Sequence, residues 1–315
     1  MKPLQMPMFS PETEWIPPTH LPDLKDHKEI AIDLETRDPG LKSSGSGSVN
    51  GNGEVVGIAV AVEGWSGYFP IAHEGGGNMD RALVLDWFEE VLHTDATKIF
   101  HNAMYDVSWI RSMGFYIRGG VIDTLIAASL IDENRWGYAL NALGKQYVGV
   151  GKNEKILNDA AKSWGIDPKA DMWRLPAPLV GEYAEQDAVL TLRLWHALQR
   201  EISSQDLWDV FNLETNLFPC LIDMKFKGVR VDAEKANLLK QELIKEEKNI
   251  YRGIRKLIGF DVEIWAAASI AKAFDEVKLP YDRTEKGAPS FTKNFLSTHP
   301  HELPKAIANA REINK

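Results

Sequence analysis

The stretch Glu29-Ile30-Ala31-Ile32-Asp33-Leu34-Glu35-Thr36 decides how this chain is read. Ile30 to Ile32 has the apolar, β-branched character of a buried strand, and it runs directly into two carboxylates. Side chains two apart on a strand share a face, so Asp33 and Glu35 are expected to project side by side. Two carboxylates that close repel unless a cation lies between them. The pair therefore points to a divalent-metal cradle, although an Asp-x-Glu at a strand end, taken alone, is more simply a solvated turn.

Working outward, residues 1–27 carry six prolines (Pro3, Pro7, Pro11, Pro17, Pro18 and Pro22) and read as an extended lead-in over the surface. After the acidic pair, Arg37 to Gly53 interleaves glycines with serines and reads as a flexible rim of a site. No Gly-Lys-Ser/Thr closes it, so it is not a phosphate-binding loop. Glu54 to Val62 predicts a buried strand with Gly67 to Ala72 as its hairpin partner. Asp80 precedes a helix expected to bury Leu83, Val84, Trp87, Phe88, Val91 and Leu92. Lys98 to Phe100 is a short strand ending at His101-Asn102, and Ala103 to Met113 a helix stopped by Gly114. Val121 to Asp123 leads into a helix from Thr124 to Leu130, and a long helix spans about Leu179 to Ser203. A meander followed by strand–helix alternation predicts an α/β fold with a mixed sheet flanked by helices.

Past Ser203 the pattern is helical, with helices over Leu207–Lys227 and Ala233–Ile258. Asp232 caps the second and Gly259 ends it, with Leu238, Leu239, Leu243, Ile250, Ile254 and Leu257 as the expected buried stripe. An irregular stretch of about 30 residues up to Ser290 follows. Of the net charge of −9, all belongs to residues 1–200, which hold 27 acidic and 18 basic side chains; residues 201–315 hold 18 of each. An acidic domain is a poor phosphate binder unless bound divalent ions supply the positive charge. The lone Cys220 excludes an internal disulfide and a multi-cysteine metal site, and suits a reducing, cytoplasmic setting. No membrane span and no signal peptide are expected.

Two further motifs give the acidic pair its meaning. Asn102-Ala-Met-Tyr105-Asp106 sits at a strand-to-helix junction, where α/β folds often build sites. Tyr183-Ala-Glu-Gln-Asp187 lies on the long helix, where residues four apart share a face. In this order the three motifs resemble the 3′→5′ proofreading exonuclease domain of family A DNA polymerases, a DEDD exonuclease of ribonuclease H-like fold. The tyrosine four residues before the last aspartate marks the DEDDy subtype. The segment Leu217 to Asp232 resembles that family's passage into the polymerase region, and Lys286-Gly-Ala-Pro-Ser290 resembles a thumb motif. The polymerase metal motifs are absent, so a phage-like exonuclease (28–203) followed by a helical linker and partial thumb (204–315) is expected, without polymerase activity.

The resemblance implies a five-stranded mixed sheet and two divalent ions, Mg²⁺ or Mn²⁺, held by Asp33, Glu35, Asp106 and Asp187. Asp33 would bridge both ions and Tyr183 would orient the attacking water. Thr36, Asn102, Tyr105 and Leu41 would contact the 3′ end of a single DNA strand. A monomer is expected, with the remaining polymerase domain or a separate polymerase chain as partner. An RNA-trimming DEDDy enzyme and a non-catalytic DNA-end or partner-binding domain are the alternatives. Asp123 reads as a helix cap rather than a ligand. Trp87, Trp109 and Trp195 read as core, with Trp136 and Tyr138 as the aromatic residues to test for strand contact.

Overall fold

A computed structural model describes residues 11–315 and divides them into two compact units, the first ending at Gly228 and the second running from Val229 to Lys315. Pro3 and Pro7 of the proline-rich lead-in lie outside the described residues. From Pro11 onward the lead-in is extended and pinned by two indoles. Trp15 Nε1 donates to Glu185 Oε1 at 2.9 Å, and Trp87 Nε1 donates to the Pro22 carbonyl at 2.7 Å.

The first unit is built on a five-stranded mixed sheet of order β3-β2-β1-β4-β5. Its strands are β1 (Glu29–Arg37), β2 (Glu54–Val62), β3 (Trp65–Pro70), β4 (Thr97–Phe100) and β5 (Val121–Asp123). β1 pairs antiparallel with β2 and parallel with β4, so the acid-bearing strand is central and sits where the sheet changes sense. The helices of this unit are α1 (Gly47–Asn50), α2 (Arg81–Leu92), α3 (Ala103–Ser112), α4 (Thr124–Ile131), α5 (Leu140–Leu143), α6 (Lys155–Trp164), α7 (Pro178–Ser204) and α8 (Trp208–Lys227). The predicted α/β architecture and the five-stranded mixed sheet are both present.

Strand alternation sorts the sheet into two unlike faces. Ile30, Ile32, Ile58, Val60 and Phe100 point to the face that also buries Val84, Trp87 and Phe88 of α2 and Trp109 of α3. Ala31, Ala59, Ala61 and Ile99 point to the other, with Val180, Tyr183, Ala184 and Ala188 of α7. The alanines keep this second face low, so a long helix lies close to it. Asp33 and Glu35 share the parity of Ala31, which aims both carboxylates at α7.

Glu35 faces Gly57 across the β1–β2 ladder, and the register shifts immediately after that pair. A Cβ on Gly57 would lie 2.0 Å from the Tyr68 hydroxyl, so only glycine leaves room for that phenol. The hydroxyl meets His73 Nε2 at 2.6 Å. Gly57→Ala is expected to destabilise the protein by about 1–3 kcal/mol through overpacking. An unchanged denaturant midpoint would contradict the close approach.

Several sequence expectations change on folding. Leu83 is 61% exposed and stands outside the buried face of α2. The glycine–serine segment, read as a flexible rim, is mostly exposed, with Gly47 and Ser48 buried. It contains α1, and Asp38 Oδ1 accepts from Gly47 N at 3.0 Å. Gly47 and Gly53 both abut the Trp109 ring. The first unit extends past Ser203, because Phe211, Phe218 and Ile222 of α8 are buried in its two cores.

In the second unit α9 (Ala233–Ile258) is capped as expected by Asp232, whose side chain accepts from Lys235 N, and by left-handed Gly259. Its stripe is only partly buried: Ile254 is core, while Leu238 and Leu239 are more than half exposed. The stretch read as irregular holds α10 (Ala267–Glu276) and the short hairpin β6 (Asp282–Arg283) and β7 (Pro289–Ser290). With α11 (Lys293–Thr298) and α12 (Glu302–Asn314) these close a small core around Phe274, Leu296 and Ile307.

Candidate active site

Asp33 and Glu35, at the end of β1, meet Asp187 of α7 in one cluster. One carboxylate oxygen from each lies within 4.8 Å of the others. Glu35 and Asp187 are buried and Asp33 is partly open to a cleft of about 610 Å³. Asp187 Oδ2 is paired with the Lys152 ammonium, whereas the buried Asp187 Oδ1 has no hydrogen-bond partner. An orphaned buried carboxylate oxygen is costly, and hard oxygen donors converging in this way suit Mg²⁺ or Mn²⁺. The residues present therefore fit a divalent ion.

Asp106 stands apart from that trio. It is buried on α3, and its Oδ1 accepts from Leu34 N at 3.0 Å, between the two acids of β1. The junction before α3 is fixed by Asp123. Its two oxygens accept from Asn102 N at 2.9 Å and Ala103 N at 2.8 Å, and Oδ1 also accepts from Leu125 N. Asp123 thus caps α4, as its position predicts, and also holds Asn102 in the left-handed region at φ 68°. Asn102 tolerates that conformation better than most residues. Asn102 and Tyr105 line the cleft. The Tyr105 hydroxyl lies 2.6 Å from Thr36 Oγ1 and donates to Asp38 Oδ2 at 3.2 Å.

Tyr183, one turn before Asp187, lines the same cleft with its hydroxyl 3.3 Å from Lys152 Nζ. Leu41 does not join this group: it is 45% exposed, on the turn after Asp38, outside the cleft lining. Trp136 is fully exposed, while Tyr138 lines the cleft and donates to the Asp132 carbonyl at 2.8 Å. Trp87, Trp109 and Trp195 are core. Lys152 is the site residue that sequence reasoning missed. Its one signal is a lysine directly after two glycines (Gly149-Val-Gly151-Lys152) in an acidic domain, which no period or cap marks.

The electrostatics follow from crowding. Burial, then the Asp187 charge, pushes the Asp33 carboxyl up to about 7, with Lys152 pulling the other way. Burial and the Asp33 charge hold Glu35 well above the usual range, and the same two causes act on Asp106. Burial raises Asp187, offset by Lys152. For Lys152, burial opposes the charge most strongly, but the charge and hydrogen bond of Asp187 with the charges of Asp33 and Glu35 together hold the ammonium above the ordinary lysine range. A carboxyl raised on folding is protonated in the native state where the unfolded chain is already ionised. Its contribution to stability is complete below about pH 4 and is lost as pH rises through about 7. The metal-free protein should therefore lose thermal stability between about pH 4 and 7, at up to about 1.4 kcal/mol per pH unit for one proton. Added Mn²⁺ should restore it at the alkaline end. A melting temperature flat across that range, with and without Mn²⁺, would contradict this.

The sequence comparisons bear on the same residues. A family profile described as 3′-5′ exonuclease of DNA polymerase A matches residues 17–203, more than half the chain and all of the cleft-forming strands.

The chain belongs to that exonuclease family.

Related proteins include a DNA-directed DNA polymerase of Pseudomonas phage M6, 34% identical over 99% of this chain and 49% of its own length. Another is DNA polymerase DpoZ of Salmonella phage PMBT28, 29% identical over 93% of this chain and 47% of its own. DNA polymerase I of Pseudomonas aeruginosa is 27% identical over 94% of this chain and 32% of its own. The exonuclease-family chain thus spans half or less of these relatives. Among solved structures, the polymerase domain of Pol1 from M. smegmatis with DNA primer-template and dNTP matches with a TM-score of 0.61. It covers 92% of this chain and 45% of that one at 16% identity, a likeness of fold alone. Among the described residues no helix is long and apolar enough to cross a membrane.

Proposed function

We propose that this exonuclease domain removes nucleoside monophosphates from the 3′ ends of single-stranded DNA, as the proofreading part of a phage-type family A polymerase. The observation that carries the reading is the convergence of Asp33, Glu35 and Asp187 on one point, with a buried Asp187 oxygen left unpartnered. Asp33, Glu35 and Asp187 would hold one divalent ion, Asp33 would be shared with a second, and Asp106 would support that second one. When bound, the two ions supply a deprotonated water and neutralise charge at the leaving 3′-oxygen.

The chain's own residues do the rest. Burial, then the Glu35 charge, keeps the Tyr183 phenol protonated, so its hydroxyl orients the attacking water rather than deprotonating it. Thr36, through its backbone, holds the terminal 3′-hydroxyl. Asn102 and Tyr105 line the path of the strand, with Tyr105 steadied by Thr36 and Asp38. With α8 packed into the exonuclease unit, the second unit, Val229–Lys315, acts as the beginning of a thumb that meets the remaining polymerase part.

A 3′-labelled single strand incubated with Mg²⁺ should release labelled mononucleotide, and EDTA should abolish release. Preference for an RNA over a DNA oligonucleotide in competition would favour an RNA-trimming enzyme instead. Absence of cleavage with either, despite Mn²⁺ binding, would sink the nuclease reading.

A further inference from the structure

Lys152 touches the acid cluster but has no part in the chemistry above. Its ammonium pairs with Asp187 Oδ2, lies 3.3 Å from the Tyr183 hydroxyl and sits 5.1 Å from the Tyr183 ring centroid. It is largely buried, and its charge opposes the raised proton affinity of Asp33, Glu35 and Asp187 together.

The loop that presents it is built for the task. Asn141 Oδ1 accepts from Lys152 N at 3.0 Å. Gln186, beside Asp187 on α7, brackets the lysine from both sides: its Nε2 donates to the Gly151 carbonyl at 3.1 Å and its Oε1 accepts from Asn153 N at 2.6 Å. A Cβ on Gly151 would lie 2.5 Å from Asn141 Oδ1, so a larger residue would push this loop off its partners. The backbone is clamped while the side chain is a flexible four-carbon stem with a single point charge. Such a cation can hold a carboxylate and leave it again without moving the fold.

We propose that Lys152 is a positioning residue that occupies Asp187 in the absence of metal and surrenders it to an entering divalent ion. This inference rests on the reading that the cluster takes such an ion. Three carboxylates within 4.8 Å are costly without a counter-charge, and Lys152 provides it while keeping Asp187 aimed at the cluster. The same ion pair competes with metal, because an ion needing Asp187 Oδ2 binds only the fraction of molecules in which the lysine has let go. Once released, the ammonium remains against the Tyr183 ring and hydroxyl and does not return to bulk water.

Mn²⁺ binding to the intact chain, followed by the loss of the free-ion EPR signal, tests this independently of turnover. K152M is expected to bind Mn²⁺ about tenfold more tightly than wild type. K152R, which keeps a cation over Asp187, should bind no more tightly than wild type. K152Q replaces K152M should the latter lose cooperative thermal unfolding. Unchanged or weaker binding in a folded, uncharged variant would overturn the proposal, as would equal tightening in K152R. Failure of the wild type to bind Mn²⁺ at all would instead remove the metal reading, and this inference with it.

Discussion

Asp33→Ala is expected to lower single-strand 3′→5′ cleavage about 10³-fold or more, while leaving the fold intact. Asp33 is the acid that acts on both the metal-cradle trio and Asp106. It lies within 4.8 Å of the Glu35 and Asp187 oxygens, and its charge raises both Glu35 and Asp106. Losing a shared ligand removes several kcal/mol of charge stabilisation, and each 1.4 kcal/mol or so is a factor of ten in rate. Stability should move the other way. Burial and repulsion from Asp187 make the Asp33 charge unfavourable in the metal-free protein. The alanine variant should therefore melt at or above the wild-type temperature at pH 8 without metal. A variant that keeps most of its activity would count heavily against the proposed roles. One that is inactive because it is unfolded would show instead that the carboxylate is structural.

Tyr183→Phe is expected to reduce turnover about 10²-fold, the scale on which positioned proton-handling groups contribute. The ring stays, with its place in the α7 face of the core and its contact with the Lys152 ammonium, and only the hydroxyl goes. Because burial and Glu35 keep this phenol protonated, the pH–rate profile of the variant should parallel the wild type with a lower plateau. A profile that loses a titrating limb would show that the tyrosine acts as a base. An unchanged rate would show that it serves packing alone.

Much of this site is legible in the sequence because it depends on local periods. Alternation along β1 is enough to place Asp33 and Glu35 on one face, and helical spacing is enough to place Tyr183 with Asp187. Caps are equally local: Asp80, Asp123, Asp232 and Gly259 all serve where their positions predict. What brings β1 and α7 together is less visible. It is the set of alanines at positions 31, 59 and 61 that lowers one face of the sheet, and it needs β1 and β2 in register before it means anything.

Lys152 was hidden for a related reason. It lies in a stretch of short helices and turns, including a π-helical turn over Gly144–Val148, where no period points its side chain anywhere. Only the Gln186 and Asn141 brackets do so, and those are contacts across the fold. Leu41 is expected from its position after the acidic pair to contact the 3′ end; it lies exposed on the turn after Asp38. On α9 the apolar stripe is real in sequence, yet periodicity says only which residues share a face and not what covers them. Leu238 and Leu239 belong to that stripe and are exposed.

The central claim is that acids from β1, α3 and α7 serve one metal centre. Anomalous diffraction from crystals soaked in Mn²⁺ tests it most directly. The account predicts a strong peak bounded by Asp33, Glu35 and Asp187, with Lys152 withdrawn from Asp187, and a second peak beside Asp33 towards Asp106. Manganese bound elsewhere on the surface, with these carboxylates bare and the lysine still paired, would contradict it.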